Sequence, residues 1–153
     1  MAITGTMVES DLVKMKDAVV EFDIGGAGSA WAPVESWANS VEPQRGTVPV
    51  SSEFTLDAEQ HVSIGPLDTS RVRITLFWTE DSTDPAQNLY TVIGTAVDVR
   101  WSKSGTAGDI RYYTTAGILI DAPPPGFNSS NNESTKVTYE ISCTDITAET
   151  IAT

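Results

Sequence analysis

The chain alternates apolar and polar residues with a period of two in several separate runs. Val20, Phe22 and Ile24 alternate with Glu21 and Asp23. Val72, Ile74, Leu76 and Trp78 share one face of Arg71–Thr79, with Arg71, Arg73, Thr75, Phe77 and Thr79 on the other. Val97, Val99 and Trp101 alternate with Asp98 and Arg100, and Val137, Tyr139, Ile141 and Cys143 with Lys136, Thr138, Glu140 and Ser142. Such alternation marks half-buried strands. Ile110 to Tyr113, continuing to Ile120, predicts more extended chain, and Phe54, Leu56 and His61–Ile64 give shorter strand signals.

One segment changes period. Ala86, Leu89, Tyr90 and Ile93 recur at i, i+3, i+4 and i+7, the stripe of a short helix. Asp84 is placed to cap it, Pro85 suits its first position and Gly94 can end it. About seven short strands and one helix predict an antiparallel β-sandwich or barrel. The domain is expected over residues 17–145, with an N-terminal arm over 1–16 and a C-terminal tail over 146–153. In the arm, Val8, Leu12 and Met15 have helical spacing.

Between Gly25 and about Val50 the periodicity breaks down. Gly25, Gly26, Gly28, Pro33, Pro43, Gly46 and Pro49 surround Trp31, Trp37 and Val41. Loops of this length are usually functional or disordered, and disordered chain is poor in aromatics. Two readings stay open: an ordered extension that docks on something else, or a segment that folds back on its own domain. A strand followed by Gly25-Gly26-Ala27-Gly28 also begins a dinucleotide-binding fingerprint. Trp31 stands where that fingerprint needs a small residue, and Pro33 disfavours the helix that must follow.

Composition narrows the chemistry. Of 153 residues, 40% are hydrophobic and 20% charged, as in ordinary globular domains. No apolar run approaches the roughly 20 residues of a membrane helix, and a secretory signal is not expected. Nine Lys and Arg face 21 Asp and Glu, a net charge of −12. That sign opposes binding to a nucleic-acid backbone and suits a surface that stays near nucleic acid without adhering. Cys143 reads as a small buried hydrophobe, and one cysteine with one histidine, His61, makes no usual zinc site. Glu80, Asp81 and Asp84 lack the glycine and glutamate of an EF-hand loop. Asn128 and Asn132 begin glycosylation sequons better read as loop composition. No catalytic set, metal site or cofactor is expected, and the chain reads as a binding or assembly protein.

The order of elements adds a resemblance. "RVRITLFW" leads through an acidic loop into "DPAQNLYTVIG", then "TAVDVRWSKSG", "DIRYYTTAGILIDA" and "KVTYEISCTD". Over residues 17 to 145 this resembles the tail tube proteins of long-tailed bacteriophages. The resemblance implies a mainly β sandwich with one short flanking helix and a long early loop. It implies six-fold rings whose inner sheets join into a barrel, stacked into a tube for viral DNA in the virion tail and assembled in the host cytoplasm. The implied partners are other copies of the chain and the tape-measure, tail terminator and tail tip proteins. DNA would pass without specific binding. Trp31, Trp37, Val41, Val48, Val50 and Phe54 become the expected self-assembly residues. Two alternatives are a capsid decoration, tail terminator or tail-completion protein, and a carbohydrate-binding sandwich using Trp31, Trp37, Trp101 and Tyr113.

Overall fold

The structure is a computed structural model that describes residues 17–26, 28, 30–127 and 134–153. Residues 1–16 and the loop holding Asn128 and Asn132 lie outside the described residues. In chain order the elements are β1 (Val19–Ile24), β2 (Ala32–Pro33), β3 (Ala38–Gln44), β4 (Val50–Phe54), β5 (Gln60–Ile64), β6 (Ser70–Phe77), α1 (Pro85–Tyr90), β7 (Val97–Ser102), β8 (Ile110–Thr115), β9 (Ile118–Asp121), β10 (Lys136–Cys143) and β11 (Asp145–Thr150).

The strands form two sheets and a separate hairpin. The five-stranded sheet has the order β11-β8-β7-β1-β2, the four-stranded sheet β3-β6-β10-β9, and β4 pairs only with β5. All these pairings are antiparallel. The period-two runs supply the core between the sheets. Val20, Phe22, Val97 and Val99 come from one sheet, and Val72, Ile74, Leu76, Val137, Tyr139, Ile141 and Cys143 from the other. Each large apolar side chain buried this way contributes about 1.5–3 kcal/mol. Ala86 and Leu89 of α1 join this core, and the Tyr139 hydroxyl donates to the Ala86 carbonyl at 2.8 Å.

The helix begins as the sequence predicts. Asp84 is fully buried and accepts from the Ala86 amide at 2.9 Å and the Thr79 amide at 2.6 Å. It ends at Tyr90, before the stripe does, and Tyr90 and Ile93 are exposed.

The two sheets meet at one corner. There the chain leaves β8, turns at Ala116 (φ 53°) and Gly117, and enters β9 in the other sheet. The Val97 amide bonds the Gly117 carbonyl, and the Leu119 amide bonds the Thr95 carbonyl. A Cβ on residue 117 would lie 2.3 Å from the Val97 carbonyl oxygen and 2.6 Å from Asp98 Oδ1, so only glycine fits.

Two expectations need correction. Residues 146–153 are not simply a tail: Asp145–Thr150 form β11, in register with β8 from Asp145↔Thr115 to Thr150↔Ile110. Backbone pairing and the Arg111–Glu149 ion pair hold this strand, and Ile146 alone within it is buried, so apolar alternation is absent. The segment from Gly25 to Val50 is not one structureless run either. Ala32–Pro33 pair with β1, and Ala38–Gln44 form an edge strand on β6. Pro43 is tolerated there because an edge strand needs no amide on its open side.

Candidate functional site: an apolar arm and open sheet edges

Residues 45–69 leave the sandwich as an arm. Its root is the β3–β6 pair, which is in register at Gln44↔Arg71. The pairing continues outward through Asp68 N to Thr47 O (2.9 Å) and Gly65 N to Pro49 O (2.8 Å) into β4 and β5. Gly46 lets the two legs meet at the root. A Cβ there would fall 1.9 Å from the Asp68 carbonyl oxygen, and its amide donates to Ser70 Oγ at 2.8 Å. At the tip, Thr55 and Glu59 close the turn around Ala58 (φ 62°). From root to tip is about a dozen residues, which at ~3.3 Å each gives a reach of roughly 40 Å.

The arm is amphipathic. Val50 lies opposite Ile64, Ser52 opposite Val62 and Phe54 opposite Gln60, so Val50, Phe54, Val62 and Ile64 share one face. Ser51, Glu53, His61 and Ser63 share the other. Every residue of both strands is exposed, and the four apolar side chains are 60–73% accessible. Leu56 at the tip and Val48 near the root are exposed as well. A two-stranded hairpin is at best marginal in water, and a contiguous exposed apolar face marks an interaction surface.

The four-stranded sheet ends on one side at β3, an open edge, and on the other at β9, which is flanked by the segment before β7 through the Leu119 amide to Thr95 and the Gly94 amide to Leu119; Ile118 and Ile120 of β9 are exposed. Its outward face is polar and balanced in charge. Glu42, Arg73, Glu140 and Asp121 align across the strands, beside Arg71 and Lys136. Arg71 and Arg73 approach Glu140 at 3.2 and 3.8 Å, Thr75 and Thr138 share a hydrogen bond, and Lys136 lies over Phe77. Three cations and three carboxylates therefore cancel there, on a chain with a net charge of −12.

The six residues expected at an assembly surface divide evenly. Val48, Val50 and Phe54 are on the arm or at its root. Trp37 and Val41 pack against the core of their own domain. Trp31 donates to the Gly28 carbonyl at 3.2 Å and carries the Arg100 guanidinium 4.4 Å from its ring centre. Leu56, Val62 and Ile64 belong to the exposed set but were not among the six. Their strand signals were present, but period two alone does not tell a core strand from an arm strand.

The residues that looked chemical have structural partners. Asp81 accepts from the Thr83 amide and hydroxyl, which holds its carboxyl below the usual range. Asp84 is the helix cap. Cys143 is buried, and desolvation, with smaller effects of Asp98 and Asp145, pushes its thiol up to about 11, far from a reactive thiolate at neutral pH. An apolar groove of 500 Å³ opens between the sheets, lined by Val20, Val41, Trp101, Ile110 and Tyr112, with Lys103 beside them.

No protein-family model and no curated protein matches the chain. Solved structures do. A chain of the sheath–tube complex of an extracellular contractile injection system, PVC, in the extended state superposes with a TM-score of 0.73 at 8% identity, over 95% of this chain and 100% of that one. The tube-terminating cap of the anti-feeding prophage gives 0.72 at 11%, over 98% and 99%. The tail of an empty GTA particle, refined with C6 symmetry, gives 0.55 at 10%, over 90% and 97%. At these identities the likeness is one of fold. The chain has the mainly antiparallel β fold, with one short helix, seen in these tail and injection-tube assemblies.

Proposed function

We propose that this chain is a structural virion protein, a tail tube subunit that assembles into hexameric rings stacked as the channel for viral DNA. The observation that carries the reading is the arm, whose apolar face nothing among the described residues covers. In a stack of rings that face seats on another copy. The groove lined by Trp101, Ile110 and Tyr112 suits it, with Lys103 available to the acidic tip residues Asp57 and Glu59. The open edge of β3 pairs with a neighbour in the ring, which removes that exposed edge from the four-stranded sheet. That sheet then lines the lumen with hydroxyls and cancelled charges, a wall that gives a passing polyanion little to hold.

The role is assembly rather than catalysis, in the tail of the particle after assembly in the host cytoplasm. The further partners are tape-measure, terminator and tip proteins. Negative-stain electron microscopy with light scattering, across a concentration series, tests the proposal. Stacked rings or hollow tubes are expected, and the Val50→Asp/Ile64→Asp double variant should give single rings or monomers. Tubes from the double variant as abundant as from the wild type would overturn the role given to the arm. Single rings from the wild type at every concentration would favour a terminator or cap role.

A further inference from the structure

Asp23 and Asp98 lie directly opposite each other across the β1–β7 pair, so their side chains leave the same face of the sheet. Asp23 is fully buried and Asp98 nearly so. The glycine-rich turn after β1 roofs them: the Gly28 amide donates to Asp23 Oδ2, and a Cβ on Gly26 would sit 3.6 Å from Asp98 Oδ2. Asp98 Oδ1 accepts from the Gly117 amide at 2.7 Å and the Thr114 hydroxyl at 2.9 Å. Asp23 Oδ1 is buried and makes no hydrogen bond.

Among the described residues neither carboxylate is in an ion pair. Arg100, two residues along β7, makes a two-pronged ion pair with Glu21 at 3.1 and 3.0 Å, and Arg111 pairs with Glu149. Two buried carboxylates side by side without a counter-charge are costly. A buried polar atom without a partner calls for a specific cause, such as a bound ion.

We propose that Asp23 and Asp98 hold a divalent metal cation of the Ca2+ type beneath the glycine turn. A hard cation takes oxygen ligands only, which is what the pair offers: Asp23 Oδ1 without a hydrogen-bond partner, and Asp98 from the opposing strand. Among the described residues no third carboxylate, histidine or cysteine joins them. Water and backbone oxygens complete the shell, so the site is a weak one, with a dissociation constant of about 10⁻⁴–10⁻³ M, as for sites with few charged ligands. The ion fastens the Gly25–Gly28 turn onto the sheet, which gives the turn a purpose other than phosphate binding.

The test is thermal melting of the EDTA-treated full chain against CaCl2, with MgCl2 in parallel. The wild-type melting temperature should rise and saturate in the millimolar range, with a folding equilibrium shifted roughly tenfold at ten times the dissociation constant. Asp23→Asn should melt above the EDTA-treated wild type and show no response to Ca2+. Glu53→Gln on the arm should respond as the wild type does. A flat wild-type titration would overturn the proposal. A response that persists in Asp23→Asn would overturn it too, as general screening of an acidic chain. Should Asp23→Asn fail to fold, equilibrium dialysis of the wild type decides: one Ca2+ per chain supports the site, and none removes it.

Discussion

The β3–β6 pair and the β4–β5 pair are two halves of one long hairpin, yet they solve opposite problems. In the inner half Val72, Ile74 and Leu76 point into the sandwich and are completely buried. In the outer half Val50, Phe54, Val62 and Ile64 repeat the same alternation and face solvent. The strand chemistry is the same. What differs is whether the chain itself supplies the opposing layer. The inner half is stabilised by the protein's own core, whereas nothing among the described residues covers the outer half, which in the proposed assembly would gain that stabilisation from a second molecule.

This contrast predicts a ranked set of effects. The largest should follow core truncation: Leu76→Ala should cost about 2–5 kcal/mol in denaturant unfolding of the monomer, since it empties a fully buried position. Next is Asp84→Ala. It removes the helix cap and leaves the Thr79 and Ala86 amides without their acceptor, for about 1–2 kcal/mol. Tyr139→Phe should cost about 0.5–1.5 kcal/mol through the lost bond to Ala86.

Tyr139 also carries a pH signature. Burial, followed by Asp84 and Tyr90, raises its hydroxyl from 10.0 to about 12. A raised value favours the neutral form in the folded state. Its contribution is therefore complete below pH 10 and is lost as pH climbs towards about 12. Alkaline melts of the wild type should show this loss, and those of Tyr139→Phe should not.

The smallest effect on the monomer should come from the arm. Val50→Asp with Ile64→Asp should change unfolding by no more than about 0.5 kcal/mol, as at other exposed sites. The same pair should abolish stacking in micrographs. If the double variant unfolds the monomer, the two halves are not independent and the comparison fails.

The core half of this contrast was legible in the sequence. The runs through Val20, Val72, Val97 and Val137 gave their strands and their buried faces, and Asp84-Pro85 gave the helix start. The arm was half legible. Phe54, Leu56 and His61–Ile64 signalled strands, but whether an alternating face meets a partner depends on tertiary placement. Trp31, Trp37 and Val41 were ambiguous for the same reason, since a side chain among glycines and prolines reads equally as anchor or as packing. β11 was illegible because pairing with β8 holds it rather than an apolar stripe. The carboxylate pair was invisible, because Asp23 and Asp98 are 75 residues apart and meet only through the β1–β7 register.

Gly46 follows directly on β3, the strand whose other side is an open edge, and its bond to Ser70 ties the root of the arm to β6. Whatever pairs with that edge therefore sets the angle at which the arm projects. In the proposed assembly a lone subunit would aim its arm loosely, and one already flanked by a neighbour would aim it in a fixed direction. Growth of such a polymer should show a lag, a threshold concentration and rapid extension from any preformed seed, the kinetics of a nucleated filament rather than of pairwise association.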